Sequence, residues 1–316
     1  MRILHVNETL GFTGGAEQYL HSVAVGLNER GHENFLIYRS VDERGPAAFA
    51  RPFQRCEQLG VRQGGTLLQD LQPDVAYVHR WADMENLGRL GREVPVVRFV
   101  HDHELYCLRA HKFFYLSGEI CHLPVGPRCL LCLPFSRRFG PFHLQDWPQA
   151  LPAKERELEM NRSLAHIVVA SHYMKSQLLM NGFAPERISV LPLFAQIPRE
   201  RTDPPNGGER ILLYVGQIVR SKGLDLLLRA LPRLSSPCSL LVAGTGNWEQ
   251  RCHRIARRLG LDSRVQFLGW QFPEALPGLL QRANLVVMPS RWAEPFGLVG
   301  LEAMAYGRPV VAFGVG

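Results

Sequence analysis

The sequence predicts an α/β protein made of two doubly wound, parallel-sheet domains. Three observations carry this. Short β-branched runs alternate with stretches of helical periodicity; the alternation halts at a polar, Pro- and Gly-rich stretch, AQIPRERTDPPNGGER at 195–210; and it then starts again. Strands separated by helices of that length need right-handed crossovers, and therefore parallel sheets. The expected organisation is a Rossmann-like domain at 1–194, a linker at 195–210 and a second Rossmann-like domain at 211–316, the two facing a central cleft.

In the first half, residues 3–6 read as a strand. The turn GFTGGAE follows, and Leu20, Val23, Ala24 and Leu27 then recur at helical spacing. Residues 35–38, 75–78, 96–100, 167–170 and 188–191 read as further strands. In the second half, strands at 211–215, 239–243, 265–268, 285–288 and 309–312 alternate with helices at 224–234, 249–259, 273–283 and 298–306. In the last helix Leu298, Leu301 and Met304 form the expected buried stripe, which leaves Glu302 to face the cleft or water.

The 316 residues, 46% hydrophobic and 21% charged, suit a globular chain with two cores. No run of eighteen apolar residues occurs, so no membrane span is expected. The opening MRILHVNETLG meets an acid and a glycine too soon for a secretion signal, so the expected location is the cytoplasm or the inner face of the membrane. The net charge of +7 comes almost wholly from arginine, since Lys112, Lys154, Lys175 and Lys222 are the only lysines. That balance suits an anionic partner, including peripheral contact with a membrane. No basic block interleaved with aromatics stands out, so nucleic acid is not an expected partner.

In open α/β sheets ligands bind beyond the carboxyl ends of the strands. After the first strand, Gly14 and Gly15 let backbone approach a ligand, and the amides opening the next helix suit a phosphate; a plain tight turn is the alternative. After 211–215, GQIVRSKGLD sets Arg220 and Lys222 two residues apart ahead of a helix, against the dipole's preference. A diphosphate between them would account for that, with Arg as a fork and Lys as a point charge; a solvated turn is the alternative. After 239–243, GTGN brings Gly244 to the same topological place. After 285–288, PSRWAEPFGLVGLE carries Glu294 and Glu302, with the amides of Phe296, Gly297 and Leu298 at the helix start.

Of seven cysteines, Cys56, Cys238 and Cys252 are scattered and read as small core hydrophobes. The others, Cys107, Cys121, Cys129 and Cys132, have the spacing C-x13-C-x7-C-x2-C inside a stretch, 103–145, that reads as an insertion. In a cytosolic chain this favours metal over disulfides: structural zinc first, an iron–sulfur cluster second, with His111 and His122 as substitute ligands. Reduced, unliganded thiols are the remaining alternative.

Taken together, these residues resemble the retaining glycosyltransferases of family 4, which have the GT-B fold. The resemblance rests on Gly14 and Gly15, on His101 in FVHDHE, on Arg220 with Lys222, and on E-x7-E at Glu294 and Glu302, in the family's order over nearly the whole chain. It implies that Arg220 and Lys222 hold a donor diphosphate, supported by Gly15 and by the amides of Phe296, Gly297 and Leu298. It implies that Glu294 binds donor-sugar hydroxyls, Glu302 the ribose diol, and that His101 sits beside the reacting sugar. The implied reaction moves a sugar from a nucleotide diphosphate sugar to the hydroxyl of a glycan or lipid-linked acceptor, with retention, in polysaccharide or glycolipid synthesis. No catalytic metal is expected, because the cations already neutralise the diphosphate. Two departures stand out. The chain stops after AFGVG, where the family continues with a glycine-rich turn and helices, so the second domain is expected to be incomplete. The four-cysteine insertion would overhang the acceptor side. The other reading is a non-catalytic nucleotide or glycan binder, left inactive by that truncation.

Overall fold

The computed structural model describes all residues except 60–63, 115, 136–145, 196–202, 204, 206, 207 and 209. The chain forms two compact units: Met1–Ala110 with His122–Pro192, and His111–Cys121 with Leu193–Gly316. Of the expected insertion, the stretch His111–Cys121 thus groups with the second unit. Most of the expected linker lies outside the described residues.

The first unit contains β1 (Arg2–Val6), β2 (Thr9–Leu10), α1 (Gly15–Asn28), β3 (Glu33–Tyr38), β4 (Ser40–Val41), α2 (Pro46–Ala50), β5 (Arg55–Gln58), α3 (Gly64–Leu71), β6 (Val75–Val78), α4 (Met84–Glu93), β7 (Val96–Val100), α5 (Trp147–Arg162), β8 (His166–Val169), α6 (His172–Met180) and β9 (Ile188–Val190). Its seven-stranded sheet has the order β5-β3-β1-β6-β7-β8-β9, every pair parallel, while β2 and β4 pair separately. Helices cover both faces of such a sheet, so its central strands are apolar without alternation. Four of the five residues of β1 are buried, and α1 packs Tyr19, Leu20 and Ala24 inward. Asp83 caps α4 by accepting from the Asn86 amide at 3.0 Å, and Ser171 caps α6. The chain winds outward from β1 in both directions, so the order reverses between β1 and β6.

The second unit contains β10 (Arg210–Val215), α7 (Leu224–Ala230), β11 (Cys238–Ala243), α8 (Glu249–Arg258), β12 (Val265–Gly269), α9 (Leu276–Arg282), β13 (Leu285–Met288), α10 (Leu298–Ala305) and β14 (Val310–Ala312). Its parallel sheet has the order β12-β11-β10-β13-β14, with the reversal between β10 and β13. Side chains of β10 alternate between two cores. Leu212 and Tyr214 join Leu224, Leu228 and Leu240 on one face; Leu213 joins Leu280, Val286 and Ala303 on the other.

The structure corrects two sequence expectations and adds an edge strand. The helix expected at 224–234 ends as α7 at Ala230, and a short 3-10 turn with Pro232 follows, since proline removes an interior helical hydrogen bond. Strand β5, RCEQ, lies at an edge of its sheet with both ends exposed, and its charged and amide side chains carry no apolar periodicity. In α10 the buried residues are Gly300 and Ala303, while Met304 is 60% exposed. The helix lies so close to β13 that a Cβ on Gly300 would stand 2.9 Å from Met288 Sδ, so the small residues face the sheet. No helix among the described residues is long and apolar enough to cross a membrane.

Candidate functional site

The loops leaving β10 and β13 flank the reversal point of the second sheet, and they are stitched together. Arg220–Lys222 forms a single 3-10 turn ahead of α7. The Arg291 amide donates to the Ser221 carbonyl at 2.8 Å. Arg291 Nη2 meets Asp225 Oδ2 at 2.8 Å, in the first turn of α7. Lys222 Nζ donates to both carboxylate oxygens of Glu294, at 2.7 and 2.9 Å, and lies 4.8 Å from the centre of the Trp292 ring. Ser290 Oγ donates to the same carboxylate. Burial alone would push the Glu294 carboxyl up, but the Lys222 charge and hydrogen bonds from Lys222, Ser290 and Trp292 outweigh it and hold it below the ordinary value. The anion invoked to explain two neighbouring cations is thus supplied, for Lys222, by the protein itself.

Glycines permit this stitching. Gly223 has φ +71°, and a Cβ there would lie 1.8 Å from the Pro289 carbonyl oxygen. A Cβ on Gly244 would lie 2.0 Å from the Gly216 oxygen, which gives Gly244 a packing role at the β11 end. Gly297, at φ +87°, opens α10, and Phe296, Leu298 and Glu302 are all half-buried around that start. Gly316 presses on the Glu294 peptide, where a Cβ would stand 2.3 Å from its oxygen. Gly223→Ala is expected to cost at least about 2 kcal/mol, combining a left-handed backbone with a backbone collision. Urea unfolding checks this, with Gly15→Ala as the near-neutral control, because nothing lies within 4 Å of a Cβ at Gly15.

In the first unit, Gly14 precedes α1 with extended backbone, and no side chain caps the helix amides. His101 follows β7. Its Nε2 lies 3.0 Å from His79 Nδ1, and His79 Nε2 lies 3.4 Å from His5 Nδ1. His5 and His79 are wholly buried. Burial lowers His5 to about 4, a bond to Asn34 partly offsetting it. It lowers His79 well below the ordinary imidazole value, with repulsion from the two neighbouring rings adding to it. Burial, then the Arg80 and Arg98 charges, lowers His101 to about 3.

Cys107, Cys121, Cys129 and Cys132 are half-buried and not joined in disulfides. Cys129 packs on a small apolar cluster of Leu108, Leu133 and Ala150, as a hydrophobe would. Among the described residues no three His, Cys, Asp or Glu side chains are gathered as metal ligands, so neither the zinc nor the iron–sulfur expectation gains a ligand set from this geometry.

Residues 13–195, more than half the chain, match the family model described as Glycosyltransferase Family 4, and residues 197–316 match Glycosyl transferases group 1. The chain belongs to glycosyltransferase family 4. Among curated relatives, an uncharacterized glycosyltransferase of Methanocaldococcus jannaschii is 34% identical over 145 residues, 45% of this chain and 37% of that protein. A D-inositol 3-phosphate glycosyltransferase of Rhodococcus opacus is 27% identical over an alignment that covers 97% of this chain and 72% of the relative. Among solved structures, HepE of Anabaena in complex with UDP and glucose superposes with a TM-score of 0.73 at 19% identity, covering 100% of this chain and 81% of HepE. WaaG, a glycosyltransferase involved in lipopolysaccharide biosynthesis, gives 0.64 at 19% identity over 98% and 80% of the two chains. At these identities the structures show the fold: two Rossmann-like units of the GT-B type.

Within this family 4 chain, sequence reasoning passed over Ser290, Trp292 and the Arg291–Asp225 pair, although SRWA stands directly before Glu294. It also passed over His5, His79 and Asn34. Their signal is a polar residue within or just beyond an apolar strand: RILHV, VAYVHR and ENFLIY.

Proposed function

We propose that this chain transfers a sugar from a nucleoside diphosphate sugar to a hydroxyl acceptor with retention at the anomeric carbon. The observation that carries the reading is the Lys222–Glu294 pair, held between the β10 and β13 loops at the reversal point of the sheet. An ammonium has three donors, and two point at Glu294, which leaves the third for a phosphate oxygen. Arg220 and the amides of Phe296, Gly297 and Leu298 complete the diphosphate's partners in this reading. Glu294 takes donor-sugar hydroxyls and Glu302 the ribose diol. In the first unit, Gly14, Gly15 and His101 serve the reacting groups. The leaving phosphate accepts the acceptor's proton on the same face, so catalysis consists of positioning and charge stabilisation, with no hydrolase-type carboxylate pair and no metal.

The HepE structures with UDP and with UDP-glucose make uridine nucleotides the first donor probes. The inositol phosphate specificity named for the Rhodococcus relative, and the lipopolysaccharide role of WaaG, make polyol and glycan hydroxyls the first acceptor probes. A panel of UDP, GDP, ADP and their glucose conjugates is expected to raise the melting temperature for one base. Ligand at a hundred times its dissociation constant adds about 2.7 kcal/mol. Release of nucleoside diphosphate on adding acceptor separates transfer from mere binding. A panel in which no nucleotide shifts the melting temperature would sink the proposal.

A further inference from the structure

The three-histidine string of the first unit ends in a chain of amides whose direction is fixed. Asn28 Nδ2 donates to the Pro52 carbonyl at 2.6 Å, so Asn28 presents Oδ1 to Asn34. Asn34 Nδ2 donates to that oxygen at 2.7 Å and to the Ala24 carbonyl at 3.1 Å. Carbonyl oxygens only accept, so both side-chain amides have one permitted orientation. Asn34 therefore turns Oδ1 toward His5, 2.8 Å from Nε2. Nε2 of His5 must carry a hydrogen. A neutral imidazole has one donor and one acceptor, so His5 Nδ1 accepts from His79 Nε2. By the same rule His79 Nδ1 accepts from Nε2 of His101, and His101 is left with a bare Nδ1. Within the described residues nothing donates to that atom.

We infer that Asn34, His5 and His79 are positioning residues that lock His101 as its Nε2–H tautomer and present Nδ1 as an acceptor for a hydroxyl of the sugar or its acceptor. The inference rests on the sugar-transfer reading only for what His101 meets. The tautomer follows from this unit alone. An acceptor nitrogen repels a phosphate oxygen and demands a partner that brings its own hydrogen, so His101 selects hydroxyl over phosphate. The string is not a proton wire. A proton taken at His101 Nδ1 and passed inward through the rings would arrive at an amide oxygen, which is too weak a base to hold it. His101 therefore orients a hydroxyl and does not ionise it.

Imidazole nitrogen-15 spectra of the ligand-free protein near neutral pH test the lock, with the His101 signals assigned by their loss in His101→Gln. The expected result is Nε2–H for His5, His79 and His101. A proton on Nδ1 of His101, or a doubly protonated ring in the string, overturns the inference. Asn34→Leu is expected to release His101 into a mixture of tautomers and to lower kcat/KM for nucleotide release about tenfold. Loss of activity in Asn34→Leu with the tautomer unchanged would mean that Asn34 acts through packing and not through the string. If the tautomer is as stated and no sugar is transferred by the unaltered protein, the functional reading fails while the lock stands.

Discussion

Lowering the pH from 6.5 toward 4 is expected to destabilise the first unit steeply, well before carboxylates titrate. In the fold His5 holds its proton only below about 4, His79 sits well below the ordinary 6.5, and His101 is lowered to about 3. In the unfolded chain each imidazole protonates near 6.5. As the pH falls through this window the unfolded state binds protons that the folded state refuses, so stability is complete above 6.5 and is lost below it. Each such ring costs about 1.4 kcal/mol per pH unit. The two wholly buried rings together cost about 3 kcal/mol per pH unit, and His101 adds to that. Against a total stability of about 5–15 kcal/mol, two pH units remove a large fraction and suffice to unfold a unit near the lower end of that range. Glu294 acts in a different window: its carboxyl is held below 4.5, so its contribution persists until the pH falls under that value. Urea midpoints measured from about pH 7 to about pH 5 check the slope. Hydrogen exchange locates it. Amides of β1, β6 and β7 should lose protection while those of β10 and β11 keep theirs. Midpoints that stay flat across this range would show that the rings are solvated or already charged in the fold.

These histidines also show where sequence reading stops. The buried strands were legible because helices cover both faces, which leaves unbroken apolar runs such as LVVM and LLV. Edge strand β5 was not, because RCEQ is at most half-buried and offers one small apolar residue among charged and amide side chains. His5, His79 and His101 each lie on or just past one of three strands that sit side by side, yet β1, β6 and β7 are neighbours only through the winding of the chain. The C-terminal site divides in the same way. Lys222 and Glu294 were legible one at a time, as a cation and an acid after strands. Their pairing spans 72 residues of sequence and depends on β10 lying beside β13. The expected buried stripe of α10 failed for a related reason: Gly300 lets the helix sink onto Met288, and no periodicity encodes that distance.

Lys222→Ala is expected to lower kcat/KM for nucleotide release by about a hundredfold to a thousandfold, the usual effect of deleting one preorganised donor that faces transition-state charge. The same change removes the only cation within reach of both Glu294 oxygens among the described ion pairs, and so it also has a structural cost. The pair is partly exposed, with side chains 25% and 12% accessible, so the cost falls below that of breaking a fully buried pair and amounts to about 2 kcal/mol. A double-mutant cycle separates the two effects. Glu294→Gln in the Lys222→Ala background removes the stranded carboxylate, so stability should recover toward that of the unaltered protein. Activity should not recover, since neither the phosphate's cation nor the sugar's carboxylate returns. Lys222→Arg should fail as well. A planar guanidinium cannot put one compact charge between two carboxylate oxygens and the Trp292 face at the present distances. If stability and activity instead recovered together in the double variant, Lys222 would be a structural counter-ion for Glu294, and the diphosphate would have to find its charge elsewhere, with Arg220 the first residue to substitute.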